Sequence, residues 1–291
     1  MKTLFENEIN KFTIFKDETK INLDYIPPKL LHREKEISYL WNHFKILISS
    51  PKLASPSVLI TGKNGVGKTV LVKTFGIKIE KLAKIYNVKL KFIHINCKIE
   101  ASAYQIILKL LESINISIPH RGFSFYELFD LLKNELEIRD QTLLITLDEI
   151  DSLKRKDYKL LYSLLKFNEN KINSKHLISI IAISNDLKFI NNIDGDIKGI
   201  FLTHNIKIKP FSQKELFDIL KDRVNEAFFI GSVPDQIIKK ISEWCAPKND
   251  IKIALNILKT VGKIAEQSNS FNINSNFLNK AFQNFEKICV Y

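Results

Sequence analysis

Gly62-Lys63-Asn64-Gly65-Val66-Gly67-Lys68-Thr69 constrains this chain more than any other stretch. It fits the pattern GxxxxGK[ST], follows the apolar run Val58–Thr61, and opens a helical periodicity running from Lys68 to about Ala83. A loop joining a strand to a helix in this way turns successive backbone N–H groups inward around a phosphate. The helix N-terminus adds partial positive charge at the same point. Three of the nine glycines of the chain fall within these six positions, Gly62 to Gly67, where backbone freedom is needed. The spacing predicts that Lys68 reaches the β- and γ-phosphates of ATP and that the Thr69 hydroxyl holds Mg²⁺. Gly62, Asn64, Gly65, Val66, Gly67 and Val70 complete the expected cradle for ATP or ADP.

The pattern around the loop alternates. Leu90–Asn96, Thr142–Leu147, Leu177–Ser184 and Asn205–Lys209 read as strands, with helical stretches at about Ala103–Ile114, Phe125–Ile138 and Tyr158–Phe167 between them. A helix is also expected from Glu34 to about Ser49, before Pro51 and Pro56 break the chain. Strands alternating with helices imply an α/β class with a parallel sheet and helices on both faces. After Pro210 the strands stop. Gln213–Phe228, Asp235–Cys245, Asp250–Ala265 and Asn276–Ile288 read as a small all-helical unit.

Two further strand ends carry polar groups. Leu143-Leu144-Ile145-Thr146-Leu147 runs into Asp148 and Glu149. Asp148 is placed to reach the Mg²⁺, and Glu149 to polarise a water for in-line attack on the γ-phosphate. Ligands of open α/β sheets lie at the carboxyl ends of the strands, so this pair and the Gly-rich loop point to one crevice. Ile180–Ser184 ends in Asn185, whose amide could touch the γ-phosphate or the attacking water. Asn and Asp also commonly start turns, and residue type alone leaves both readings open.

Composition narrows the setting. In 291 residues, 44 Lys and Arg against 32 Asp and Glu give a formal charge of +12. That balance suits a nucleic-acid partner, and it equally suits a Lys-, Ile- and Asn-rich codon usage, since only five residues are arginine. The three cysteines, Cys97, Cys245 and Cys289, form no CxxC pair, which argues against a zinc ribbon or a disulfide framework. The N-terminus has no apolar core of a secretory signal. No apolar run approaches the ~20 residues of a membrane span. The expectation is a soluble, cytoplasmic protein with no membrane partner.

Taken in order, these motifs resemble an AAA+ ATPase, and more specifically an archaeal replication initiator of the origin-recognition-complex and cell-division-control type. The resemblance rests on Ile14–Glu18, Leu23–Pro27, His32-Arg33-Glu34, the Gly-rich loop, Leu147–Asp151, Ile183–Phe189 and Pro210-Phe211-Ser212. It spans about Phe12 to Ile264. It implies an N-terminal segment (1–34) closing over the adenine, an α/β base domain (35–210) and a helical lid domain (211–291). It places Asn185 at the first sensor position and Tyr25, Ile26, Pro27 and Arg33 around the base. His120, Arg121 and Gly122 fall where such initiators touch duplex DNA, although His120 and Arg121 also suit an ordinary solvated loop.

Three departures stand out. Asp196 holds the place of an expected arginine finger, with Lys198 the nearest cation, and an ammonium does not replace a planar guanidinium. Lys252 stands where the lid usually carries an arginine that senses the γ-phosphate. The winged-helix domain of the family is not expected within these residues. The resemblance therefore implies an ATP-binding, nucleoid-associated protein of DNA replication initiation. It would bind duplex DNA or the replicative helicase under nucleotide control and hydrolyse ATP slowly or only with a partner. The alternative is a nucleotide-gated adaptor that acts on a full-length initiator or on a plasmid or viral replication protein, without origin binding of its own.

Overall fold

The computed structural model describes residues 12–118, 122–167, 177–186, 190, 193 and 195–289. His120 and Arg121, expected at DNA, lie outside these residues, as do Leu187, Lys188 and Phe189 of the Ile183–Phe189 run. The chain forms two compact units. One holds Arg33–Lys63 and Gly67–Lys209; the other holds the segment up to His32, Asn64–Val66 and the segment from Pro210.

The first unit is an α/β sheet. Its elements are α1 (Glu34–Phe44), α2 (Ile46–Ser49), β1 (Ser57–Thr61), α3 (Lys68–Ile85), β2 (Leu90–Asn96), α4 (Ala103–Ser113), α5 (Phe125–Arg139), β3 (Thr142–Asp148), α6 (Lys159–Leu165), β4 (Ile178–Ser184), α7 (Gly195–Thr203) and β5 (Asn205–Lys207). The five strands are parallel, in the order β2-β3-β4-β1-β5. Strands β1, β3 and β4 are buried at every position, which is why they read as unbroken apolar runs rather than alternating ones. Edge strand β2 is only partly buried, at Leu90, Ile93 and Ile95. The register sets Asn96 beside Asp148 and Thr61 beside Ser184, so the polar strand ends gather at one edge of the sheet.

Local chemistry fixes the helix starts. Ser124 and Glu127 form a reciprocal capping box on α5, and Ser102 caps α4. The expected helix over Glu34–Ser49 is divided at Lys45 into α1 and α2. Helix α7 was not anticipated: Gly195 and Gly199 oppose helix formation, and burial of Ile197 and Phe201, one turn apart, overrides them.

The second unit is helical: α8 (Gln213–Ala227), α9 (Asp235–Cys245), α10 (Ile251–Gln267) and α11 (Ser275–Cys289). A capping box of Ser212 and Glu215 starts α8. The N-terminal segment joins this unit through a bridge between Phe15 and Phe228 and through Lys16 N donating to Ala227 O at 2.8 Å. Phe15 and Phe228 pack with ring centroids 4.5 Å apart. Gly262 lets them approach α10, since a Cβ there would stand 2.4 Å from the Phe15 ring. Gly262→Val is therefore expected to cost about 1–3 kcal/mol by overpacking, read as a lower denaturation midpoint. Among the described residues, no helix is long and apolar enough to cross a membrane.

Candidate functional site

Strand β1 delivers the Gly-rich loop and α3 receives it. Gly65 and Gly67 take φ of 76° and 89°, the left-handed region where a side chain is strained. Lys68 is buried at the start of α3. Its ammonium donates to Gly62 O at 2.7 Å, Lys63 O at 2.8 Å and Asn185 Oδ1 at 3.0 Å. The residue ending β4 thus meets the loop lysine because β4 and β1 are neighbours in the sheet. Asn185 is itself oriented by Asp151, whose carboxylate accepts from Asn185 N at 3.2 Å and from Nδ2 at 3.4 Å.

A second cluster forms on β3. Thr69 Oγ1 donates to Asp148 Oδ2 at 2.6 Å, and His94 Nε2 lies 3.1 Å from that same oxygen. Glu149 N donates to Asp148 Oδ1 at 2.9 Å. Burial opposes ionisation of Asp148, but the hydrogen bonds from His94 and Thr69, the His94 charge and the Glu149 amide outweigh it. The carboxyl is held below its ordinary range. Glu149 leaves the strand with φ of 53°, an unfavourable conformation for a residue with a side chain.

Lys68, Thr69, Asp148 and Asn185 are brought together, and Glu149 adjoins them in the chain. Val70 lies in the first turn of α3. Arg33 is buried at the start of α1, where its Nη2 donates to Lys209 O at 2.9 Å and its Nη1 lies 3.5 Å from Glu36. Asn64, Gly65, Val66, Tyr25, Ile26, Pro27 and Lys252 belong to the helical unit. There Ile251 N donates to Gly65 O at 3.1 Å. The Asp250 carboxylate caps the Lys252 N–H at 2.8 Å and lies 2.1 Å from where a Gly65 Cβ would stand. Val66 is buried, while Asn64 and Lys252 are exposed. The Tyr25 ring has the Lys20 ammonium 4.4 Å and the Arg223 guanidinium 4.6 Å from its centre, and its hydroxyl donates to Glu226 at 3.3 Å. Ile26 is half-buried and Pro27 buried. Gly122 has φ of 104° with open space where a Cβ would stand.

Sequence reasoning missed His94 and the positioning contact of Asp151. Asp151 closes the Leu147–Asp151 run, where the sequence alone gives it no role. His94 sits on β2 opposite Thr146, and only the strand register reveals its reach to Asp148. Cys97 also borders this cluster. Burial, then the charges of Asp148, Asp151 and Glu149, push its thiol up to about 12. At pH 8 only about one thiol in ten thousand would be ionised, and the thiolate is the reacting form. Iodoacetamide is expected to leave Cys97 unmodified in the folded protein and to alkylate it after denaturation, read by peptide mass mapping.

Comparison with known proteins gives this geometry its family. Residues 54–188 match the AAA domain model, and residues 217–283 match the Cdc6 AAA+ ATPase-type lid domain. The ORC1-type DNA replication protein 2 of Sulfurisphaera tokodaii is 33% identical over 288 residues, covering 97% of this chain and 69% of that protein. The chain belongs to the ORC1-type DNA replication protein family. A second relative, the ORC1-type protein of Thermococcus kodakarensis, is 31% identical over 99% of this chain and 70% of its own length. Among solved structures, Cdc6p from Pyrobaculum aerophilum superposes with a TM-score of 0.82 at 25% identity, covering 94% of this chain and 72% of that one. Aeropyrum pernix ORC1, solved in complex with DNA, gives 0.84 at 26% identity over 94% and 70%. The family makes this chain an AAA+ ATPase of replication-initiator type, with a nucleotide-binding α/β core and a Cdc6-type helical lid.

Proposed function

We propose that the chain binds Mg²⁺–ATP and Mg²⁺–ADP at the Gly62–Thr69 loop and that the bound nucleotide governs its grip on duplex DNA. The replicative helicase or another initiator is the further partner. Hydrolysis is slow or partner-dependent. The observation that carries this reading is the convergence of Lys68, Thr69, Asp148 and Asn185 at the carboxyl edge of the sheet. The DNA part is supported by the kinship with A. pernix ORC1, which was solved with DNA.

The donor set suits the metal. A hydroxyl and a carboxylate, both hard oxygen donors, meet at 2.6 Å, and Mg²⁺ takes one or two protein oxygens with phosphate and water completing its shell. Thr69 and Asp148 would hold it, and it would neutralise charge on the phosphate oxygens. Lys68 leaves its carbonyl acceptors for the phosphates. Glu149 takes the proton of the attacking water, and Asn185, fixed by Asp151, orients that water or the γ-phosphate. Lys252 contributes charge to the γ-phosphate. Tyr25, Ile26, Pro27 and Arg33 receive the base. His120, Arg121 and Gly122 touch DNA phosphates.

His94 acts through Asp148. Partners that orient a metal ligand are typically worth 10- to 100-fold in metal affinity. His94→Ala should therefore raise the Mg²⁺ concentration needed for half-maximal ATP binding by about tenfold or more, with His94→Gln recovering part of the loss. The whole reading is tested by fluorescence anisotropy on random duplex DNA with Mg²⁺–ATP and Mg²⁺–ADP at two salt concentrations. Salt-sensitive binding that differs between nucleotides is expected. Intact nucleotide binding with no DNA binding at about 0.15 M salt would overturn the DNA part and favour the adaptor alternative.

A further inference from the structure

Between β3 and α6 the chain carries Lys154, Arg155, Lys156 and Lys159, four cations in six positions and all exposed. None of them forms an ion pair with a described residue. Their backbone is nevertheless firmly mounted. Leu153 and Tyr158 are buried, and Asp157 accepts the Ala103 N–H at 3.0 Å, fixing the segment to the start of α4. The Lys159 ammonium lies 5.1 Å from the Phe125 ring centre and 5.6 Å from that of Tyr126, fixing it to the start of α5. Arg139 at the end of α5 donates to Ile114 O at the end of α4, so the two helices run side by side and their N-termini meet this ridge together.

That placement is unfavourable within the chain. Helix N-termini carry partial positive charge and repel cations. Of the carboxylates here, Glu127 accepts the Ser124 N–H at the start of α5, Asp157 Oδ1 accepts the Ala103 N–H, and Asp151 holds Asn185. A rigid ridge of cations set against positive helix ends builds a local positive potential that a polyanion relieves. Beside it stands Tyr126, 65% exposed, with a hydroxyl able to donate to a phosphate.

We infer that Lys154, Arg155, Lys156 and Tyr126 form a contact site for the phosphate backbone of duplex DNA, separate from His120, Arg121 and Gly122. This rests on the DNA-binding reading above and names a second part of that surface. The contacts would position DNA without reading its sequence, because phosphates carry no base information.

The test uses the full chain with Mg²⁺–ATP and random duplex DNA over a salt series. The wild type is compared with K154A/R155A/K156A and with a charge-matched control on the exposed face of α3, K78A/K81A/K84A. Three lost phosphate contacts should flatten the slope of log affinity against log salt by about 2–3, and the control should change it by less than about 1. Ridge affinity at about 0.1 M salt should fall at least tenfold while ATP affinity is unchanged. A ridge variant with the wild-type slope, or equal losses in the two variants, would overturn this site and leave the DNA reading standing. A wild type that does not bind duplex DNA would overturn that reading and this site with it.

Discussion

Lys68→Ala is expected to weaken ATP binding by about two orders of magnitude. The ammonium is buried beside the loop and already donates to Gly62 O, Lys63 O and Asn185 Oδ1. In the proposed nucleotide complex it would exchange these neutral acceptors for charged phosphate oxygens. A hydrogen bond to a charged group contributes about 1.5–3 kcal/mol, and each 1.4 kcal/mol is about tenfold in affinity. Truncation also removes a positive charge from the site proposed to hold the triphosphate. Calorimetric titration of Mg²⁺–ATP reads the change. Lys68→Met, closer in volume, separates loss of charge from any loss of packing. Wild-type affinity in both variants would place the nucleotide away from this loop.

Glu149→Gln should lower the rate of ATP hydrolysis by about 10²–10⁴, the usual worth of a positioned general base, with ATP affinity within about threefold of wild type. The glutamate follows the Mg²⁺-ligand candidate Asp148 directly. It is held in a left-handed backbone conformation, and strain of this kind gathers at functional sites. Single-turnover phosphate release, with protein in excess over ATP, makes the comparison feasible at a low basal rate. A low rate is expected if Asp196 takes the place of an arginine finger, as the resemblance implies, since such a finger is worth about 10³–10⁵ in rate. An unchanged rate in Glu149→Gln would remove Glu149 from the chemistry.

Much of this architecture was legible because its signals are local. The loop needs glycine at Gly65 and Gly67 for their positive φ. The central strands β1, β3 and β4 are apolar on both faces, and the capping boxes at Ser124 and Ser212 announce their helices. What escaped depends on pairing across the chain. His94 meets Asp148 only through the β2–β3 register, and Asp151 meets Asn185 only because β3 and β4 are neighbours. Helix α7 escaped because Gly195 and Gly199 argue locally against what burial of Ile197 and Phe201 imposes. The bridge from Phe15 to Phe228 joins segments over two hundred residues apart, and no periodicity encodes it. The resemblance to initiators supplied roles for Tyr25, Arg33 and Lys252 that residue type alone would not suggest.

The most direct test of the central claim is a crystal structure with Mg²⁺ and a non-hydrolysable ATP analogue. The account predicts the phosphates on the backbone N–H groups between Asn64 and Thr69, with Lys68 Nζ moved from the Gly62 and Lys63 carbonyls to the β- and γ-phosphates. It predicts Mg²⁺ at about 2.0–2.1 Å from Thr69 Oγ1, with Asp148 in its coordination sphere or one water away. A nucleotide bound elsewhere, or bound at the loop with Lys68 still on its carbonyl acceptors, would contradict it.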